Sequence, residues 1–261
     1  MTAGLSIDDP AYFDRLADVE ARHWWSIGVW QMGAYWLDSA LEGRSGLKVL
    51  DVGCGTGQTV LRLASRDEIQ DVIGLDPNPH ALRHARTRHA FPLVQGSALE
   101  LPFEADSLDL VTCFDVLQHL EPGHDMTATL EIARVLKPGG LTLIRTNGRG
   151  WSGDASTYRL DSLIAMIEGS GLIVRRGSPA NVLPALAQEI RGTLNRHWRL
   201  DPNQWRMRSH PSGGGLQIRV PSAGWNQALG IVSQTEAWIA GRLRLPLPFG
   251  HSTLVLAEAP G

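Results

Sequence analysis

Cysteine is nearly missing from this chain of 261 residues, with Cys54 and Cys113 the only two. That excludes a disulfide framework and a cysteine-built zinc centre. Both thiols stand in apolar runs, where each reads as a small buried hydrophobe. Lysine is equally scarce, at Lys48 and Lys137, so arginine carries almost all the positive charge. No large excess of either sign remains: the formal net charge is -3, which argues against a protein that grips polyanions over its whole surface. No apolar run is long enough to cross a bilayer. The stretch 1–10 has neither a basic start nor an apolar core, so it does not read as a signal peptide, and a cytoplasmic protein is expected. There is no Asn-Pro-Pro-Tyr segment of the base-handling kind and no catalytic cysteine pair, which places small molecules ahead of nucleic acid as targets.

What the chain does have is alternation. Short apolar runs at 48–52, 72–75, 93–94, 108–114, 141–146, 172–176 and 252–258 read as strands. Helical patterns at 58–64, 79–89, 126–136 and 160–169 separate them, and Lys137-Pro138-Gly139-Gly140 reads as a stop and turn. Strand–helix alternation implies parallel strands with right-handed crossovers. A doubly wound α/β fold is therefore expected, with a mostly parallel seven-stranded sheet, an N-terminal helical cap and an insertion before the last strand. The expected boundaries are 1–45 for the cap, 46–177 for the core, 178–247 for the insertion and 248–261 for the final strand. Two further helices, 185–199 and 225–243, are expected inside the insertion.

The most informative segment is Asp51-Val52-Gly53-Cys54-Gly55-Thr56-Gly57, between a strand and a helix. Glycines at alternate positions let the backbone turn sharply and approach a ligand. Asp76, 25 residues after Asp51, closes the second strand, where a carboxylate can accept hydrogen bonds from ribose hydroxyls. The spacing Gly-x-Gly-x-Gly is tighter by one residue than the dinucleotide fingerprint. Asp51, two residues before the first glycine, is a poor neighbour for pyrophosphate and suits an ammonium group.

With Gly74-Leu75-Asp76, Leu101-Pro102-Phe103, Phe114 to Leu120 and Arg134 to Gly140 following in order, the chain resembles the class I S-adenosylmethionine-dependent methyltransferases, of the type 11-like kind. The resemblance covers residues 46–147. It implies S-adenosyl-L-methionine as cofactor, with Gly53, Cys54, Gly55 and Gly57 beside Asp51 at the methionine end. It puts Asp76 on the ribose, Pro77 against the adenine, and Asp115 and Val116 beside the sulfonium. Gly96-Ser97-Ala98 stands where the family usually has Gly-Asp-Ala, so Ser97 or the backbone would hold the adenine amino group.

Other residues keep two readings. His119, one turn beyond Asp115, is either the general base or a packing residue. Glu20-Ala21-Arg22-His23-Trp24-Trp25 resembles a segment of a bacterial subfamily that packs over the cofactor. Its tryptophans, Trp25 among them, either wall the acceptor or fill a core. The arginines of the insertion, with Arg206 and Arg208 foremost, form either a lid for an anionic acceptor or a solvated face. His80, His84 and His89 alternate with arginines and read as a solvated helix face, so no metal is expected. The expected reaction is methyl transfer to O, N or C of a small acceptor, in bacterial specialised metabolism or glycan assembly. A cyclase that uses the sulfonium as a positive charge and a non-catalytic cofactor-binding subunit are the alternatives.

Overall fold

A computed structural model describes residues 10–88, 90–148, 158–182, 185–186 and 220–261. Seven strands, β1 (Leu47–Val52), β2 (Ile69–Asp76), β3 (Leu93–Gln95), β4 (Leu108–Phe114), β5 (Leu136–Asn147), β6 (Ile173–Ala180) and β7 (Ser252–Glu258), form one sheet. Their order is β3-β2-β1-β4-β5-β7-β6. The first five are parallel, and β7 runs antiparallel between β5 and β6. Connections from β1 turn one way to β2, while β4 lies on the other side of β1, so a crevice opens at the carboxyl ends of β1 and β4. Ligands of open α/β sheets bind at such a switch point.

Helices cover both faces because the central strands are apolar on both. In β1, Val49 belongs to the core beneath α2 (Trp24–Ala40) and α3 (Gln58–Ala64). Leu50 and Val52 belong to the opposite core, beneath α5 (His124–Val135) and α6 (Leu160–Gly169). Between α3 and α5 the chain adds α4 (Pro79–Arg88) after β2.

The N-terminal part consists of two helices. α1 (Pro10–Arg22) ends before His23, which is extended (φ -71°, ψ 128°), and the His23 Nδ1 accepts the Trp25 N–H at 3.2 Å to cap α2. The chain turns there because the imidazole replaces a backbone acceptor. Within the insertion, α7 (Ala223–Ala237) runs into a π turn at Trp238–Arg242. This end of the insertion packs on the cap. The Trp24 N–H donates to Asn226 Oδ1 at 3.1 Å, and the Trp36 indole donates to the Ala240 carbonyl at 3.1 Å. A β-carbon on Gly28 would lie 1.6 Å from Ser233 Oγ, so α2 and α7 meet where only glycine fits.

Two expectations need correction. Lys137 to Gly140 is the irregular start of β5 rather than a turn before it. Leu136 already pairs with Leu108, and the register then slips before Leu110 meets Leu141, with Gly139 at φ 73°. Lys137 Nζ is held by both Asp109 oxygens at 2.8 Å. Also, β2 starts at Ile69 and β6 continues to Ala180, since pairing with β1 and β7 extends them past their apolar centres. Of the expected 185–199 helix, residues 187–199 lie outside the described residues, as do His89, Arg206 and Arg208.

Candidate functional site

The glycine loop leaves β1 and turns under the end of β2. Gly53, Gly55 and Gly57 have φ of 72°, 52° and 83°, values that side chains rarely adopt. The N–H groups of Gly53 and Cys54 donate to the Leu75 carbonyl at 2.7 and 2.9 Å. Asp76 ties loop to strand: Oδ2 accepts the Gly55 N–H at 2.9 Å and Oδ1 the Asn78 N–H at 2.8 Å. Burial pushes its carboxyl up, and these two donors push it back down. A carboxylate has four lone-pair sites, so two remain for hydroxyl donors. Asp51 is buried under the loop, where the Thr112 hydroxyl donates to Oδ1 at 2.6 Å. Burial raises its carboxyl to about 7, and the charges of Glu20 and Asp76 add to the rise.

Asp115 follows β4 with φ 59°, in the left-handed region that glycine, asparagine and aspartate visit more readily than other residues. Its Oδ2 pairs with Arg145 Nη1 at 2.8 Å, and Gln118 Nε2 donates to Oδ1 at 3.3 Å. Arg145 points from β5 and is buried, its guanidinium 4.4 Å from the centre of the Trp25 ring. Its Nε has no hydrogen-bond partner among the described residues. His251, just before β7, is pushed down to about 4, by burial first and by the Arg145 charge second, so its imidazole is neutral at pH 7.

The expected site residues are distributed as follows. Pro77 and Ser97 are exposed at the ends of β2 and β3, and the Ser97 hydroxyl accepts the Leu99 N–H at 3.1 Å. Ala98 is buried beside them. Cys54 is buried and packs over Gly74, where burial raises its thiol. Val116 closes on Gly53 so tightly that a β-carbon there would lie 2.2 Å from its Cγ2. Trp25 meets the polar cluster through Arg145. His119 is exposed at the end of a 3₁₀ turn (Leu117–His119), and the side chain returning from that turn is Gln118, whose Oε1 accepts the Thr146 hydroxyl at 2.7 Å. His84 binds Asp14 at 2.9 Å and so fastens α4 to α1.

Glu20, Gln118, Arg145 and His251 were not singled out from sequence. Arg145 carried a readable signal, a charge inside the apolar run 141–146. Glu20 stood there only as the first residue of the segment 20–25 that resembles a cofactor-covering stretch, and its own contact with Thr56 comes from the packing of α1 on the loop.

Three left-handed glycines, a carboxylate with free lone pairs beside them, acidic groups at one end and the exposed Pro77 ring at the other fit S-adenosylmethionine. That cofactor has a cationic methionine end, a ribose and a flat base. A model of the methyltransferase domain matches residues 49–140. A ubiquinone biosynthesis O-methyltransferase of Aliivibrio fischeri is 32% identical over 163 residues, covering 57% of this chain and 67% of the relative. The chain belongs to the class I S-adenosylmethionine-dependent methyltransferases.

This methyltransferase is also 34% identical over 139 residues to a fatty-acid O-methyltransferase of Mycolicibacterium smegmatis, covering 52% of the chain and 48% of the relative. Among solved structures, a methyltransferase bound to the Trm112 activator of Haloferax volcanii superposes with a TM-score of 0.58 at 21% identity, over 96% of this chain and 95% of that one. The latter likeness concerns the fold. The cofactor of the family is S-adenosylmethionine, and the enzyme transfers its methyl group. No helix among the described residues is long and apolar enough to cross a membrane.

Proposed function

We propose that this methyltransferase acts on an oxygen of a small-molecule acceptor that carries an acidic group, seated where Trp25, Asp115 and Arg145 meet. The carrying observation is Arg145, a buried guanidinium stacked on an indole at the carboxyl edge of the sheet with one N–H uncommitted. Guanidinium forks suit carboxylates and phenolates, and the indole supplies a flat wall. Oxygen is favoured over nitrogen or carbon by the two relatives named as O-methyltransferases. Bacterial specialised metabolism or glycan assembly is the setting we infer.

Bound S-adenosylmethionine supplies an electrophilic methyl group. The chain's own work is to hold and orient. Asp51, Gly53, Cys54, Gly55 and Gly57 would take the methionine end, Asp76 the ribose, and Pro77, Ser97 and Ala98 the adenine. Asp115 and Val116 would flank the reacting centre. Placing acceptor and donor in line accounts for much of such a rate. His119 is proposed as the base for an acceptor that must lose a proton. Residues 178–247, including Arg206 and Arg208, are proposed as the acceptor's cover, jointly with the cap on which α7 packs.

Methyl-labelled cofactor incubated with 3,4-dihydroxybenzoate, or with catechol, tests this reading. The acid should be labelled at least tenfold faster than catechol, with one S-adenosylhomocysteine formed per label, and His119→Ala should slow it by about two orders of magnitude. Equal rates for acid and catechol would contradict an anionic acceptor. Conversion of a substrate without S-adenosylhomocysteine would favour a cyclase, and cofactor binding without turnover of any phenolic or carboxylic acid a non-catalytic subunit.

A further inference from the structure

Glu20 lies in α1, 36 residues before Thr56 in the chain, yet its carboxyl group stands over the glycine loop. Its Oε2 accepts the Thr56 hydroxyl, and its Oε1 is 4.0 Å from where a β-carbon on Gly55 would sit. Arg62, from α3, does not pair with this carboxylate: its Nη2 donates to the Glu20 backbone carbonyl at 2.8 Å, and its guanidinium lies 5.4 Å from the Trp30 ring centre. Asp115 is committed to Arg145. The pocket thus gathers Glu20, Asp51 and Asp76 round three glycines, with no cation given to them by a side-chain ion pair among the described residues. A group of acids enclosed in this way is incomplete without a positive charge.

We infer that Glu20 is a cofactor-binding residue, and that its carboxylate takes the ammonium of the cofactor's methionine end, so that α1 forms one wall of the site. The inference rests on the methyltransferase reading and adds to it a specific cofactor contact outside the 46–147 core. The groups facing Glu20 are Thr56 on the loop, Asp51 from β1, Asp115 after β4, Arg62 from α3, Arg88 from α4 and Tyr12 on its own helix. Enclosure is the largest influence on it and raises its carboxyl to about 7, with Asp115 adding and Thr56, Arg62 and Arg88 opposing. Glu20 is thus largely protonated at pH 6, and pairing with an ammonium ionises it. The proton leaves to buffer and the carboxylate stays with the cation.

Titration calorimetry at pH 6 in two buffers of different ionisation enthalpy reads this directly. The wild type should release protons on binding S-adenosylmethionine or S-adenosylhomocysteine, since both carry the ammonium. Glu20→Gln keeps an acceptor for Thr56; it should weaken both ligands by about tenfold or more, the worth of a charge-assisted hydrogen bond, and release fewer protons. Thermal unfolding of Glu20→Gln without ligand checks that it is folded, and Glu20→Asp should restore part of the affinity if the variant proves unstable. Unchanged or tighter binding by Glu20→Gln would overturn the inference, making Glu20 a plug. A loss confined to S-adenosylmethionine would also overturn it, moving Glu20 to the sulfonium. Failure of the wild type to bind either ligand would instead refute the underlying reading.

Discussion

Gly55→Val should remove measurable S-adenosylmethionine binding while the sheet stays folded. At φ 52° a β-branched residue is strained, at a cost of roughly 1–2 kcal/mol for the left-handed region alone. The heavier effect is steric. A β-carbon at 55 would have the Glu20 carboxylate and the Gly53 carbonyl each 4.0 Å away, so two more methyl groups fill the space between loop and cap. The Gly55 N–H that holds Asp76 would move with them. Together these effects should weaken binding at least hundredfold, about 2.7 kcal/mol or more by affinity arithmetic. Gly43→Ala is the control, since Gly43 has φ 77° and nothing within 4 Å of an added β-carbon. It imposes backbone strain of the same kind away from the loop and should lower stability by about 1 kcal/mol with cofactor affinity unchanged. Calorimetry on both variants decides between strain and a lost cradle. Wild-type affinity in Gly55→Val would show that the loop does not carry the cofactor.

Arg145→Met should destabilise the fold and, separately, loosen the acceptor. The Arg145 side chain is 6% exposed and that of Asp115 33% exposed. Breaking a fully buried pair costs about 3–5 kcal/mol. Because Asp115 is partly open to water, about 2–3 kcal/mol is expected, the lost stack on Trp25 included. That corresponds to a fall of very roughly 5–10 °C in the unfolding midpoint. Arg145→Met with Asp115→Asn should regain most of it, since asparagine tolerates the positive φ and leaves no stranded charge. In turnover, Arg145→Met should raise KM for 3,4-dihydroxybenzoate at least tenfold and leave KM for catechol and the affinity for cofactor within about twofold. Full stability of the single variant would show the ion pair contributes nothing, and an unchanged KM for the acid would remove Arg145 from the acceptor site.

The parts of the molecule legible in sequence are those set by neighbours along the chain. Glycine spacing at 53–57 and the acid at 76 lie within one β-α-β unit, and the alternation of apolar runs is enough to imply the doubly wound sheet. The break at His23 was hidden because the turn depends on which way one imidazole faces, in a stretch whose apolar spacing stays helical on both sides. Lys137 to Gly140 contains every signal of a turn, yet pairing of Leu136 with Leu108 draws it into β5 as a bulge. The partners of Gln118 and Glu20 were out of reach for a different reason. Gln118 is separated by 28 residues from Thr146, its partner, and Glu20 by 36 from Thr56. No periodicity registers such pairs. Arg145 lies between: a charge in a buried strand announces a partner, but not that the partners are Asp115 and Trp25.

Amide hydrogen exchange with and without S-adenosylhomocysteine tests most directly that the cofactor sits where the loop, Asp76 and Glu20 converge. Slowed exchange is expected at 53–57, 76–78, 96–98 and 115–116, together with the end of α1 around Glu20, and little change in β6 and β7. Protection centred instead on the cleft between α1 and α7, lined by Arg15, Arg22, Val220 and Asn226, with none in the glycine loop, would contradict it.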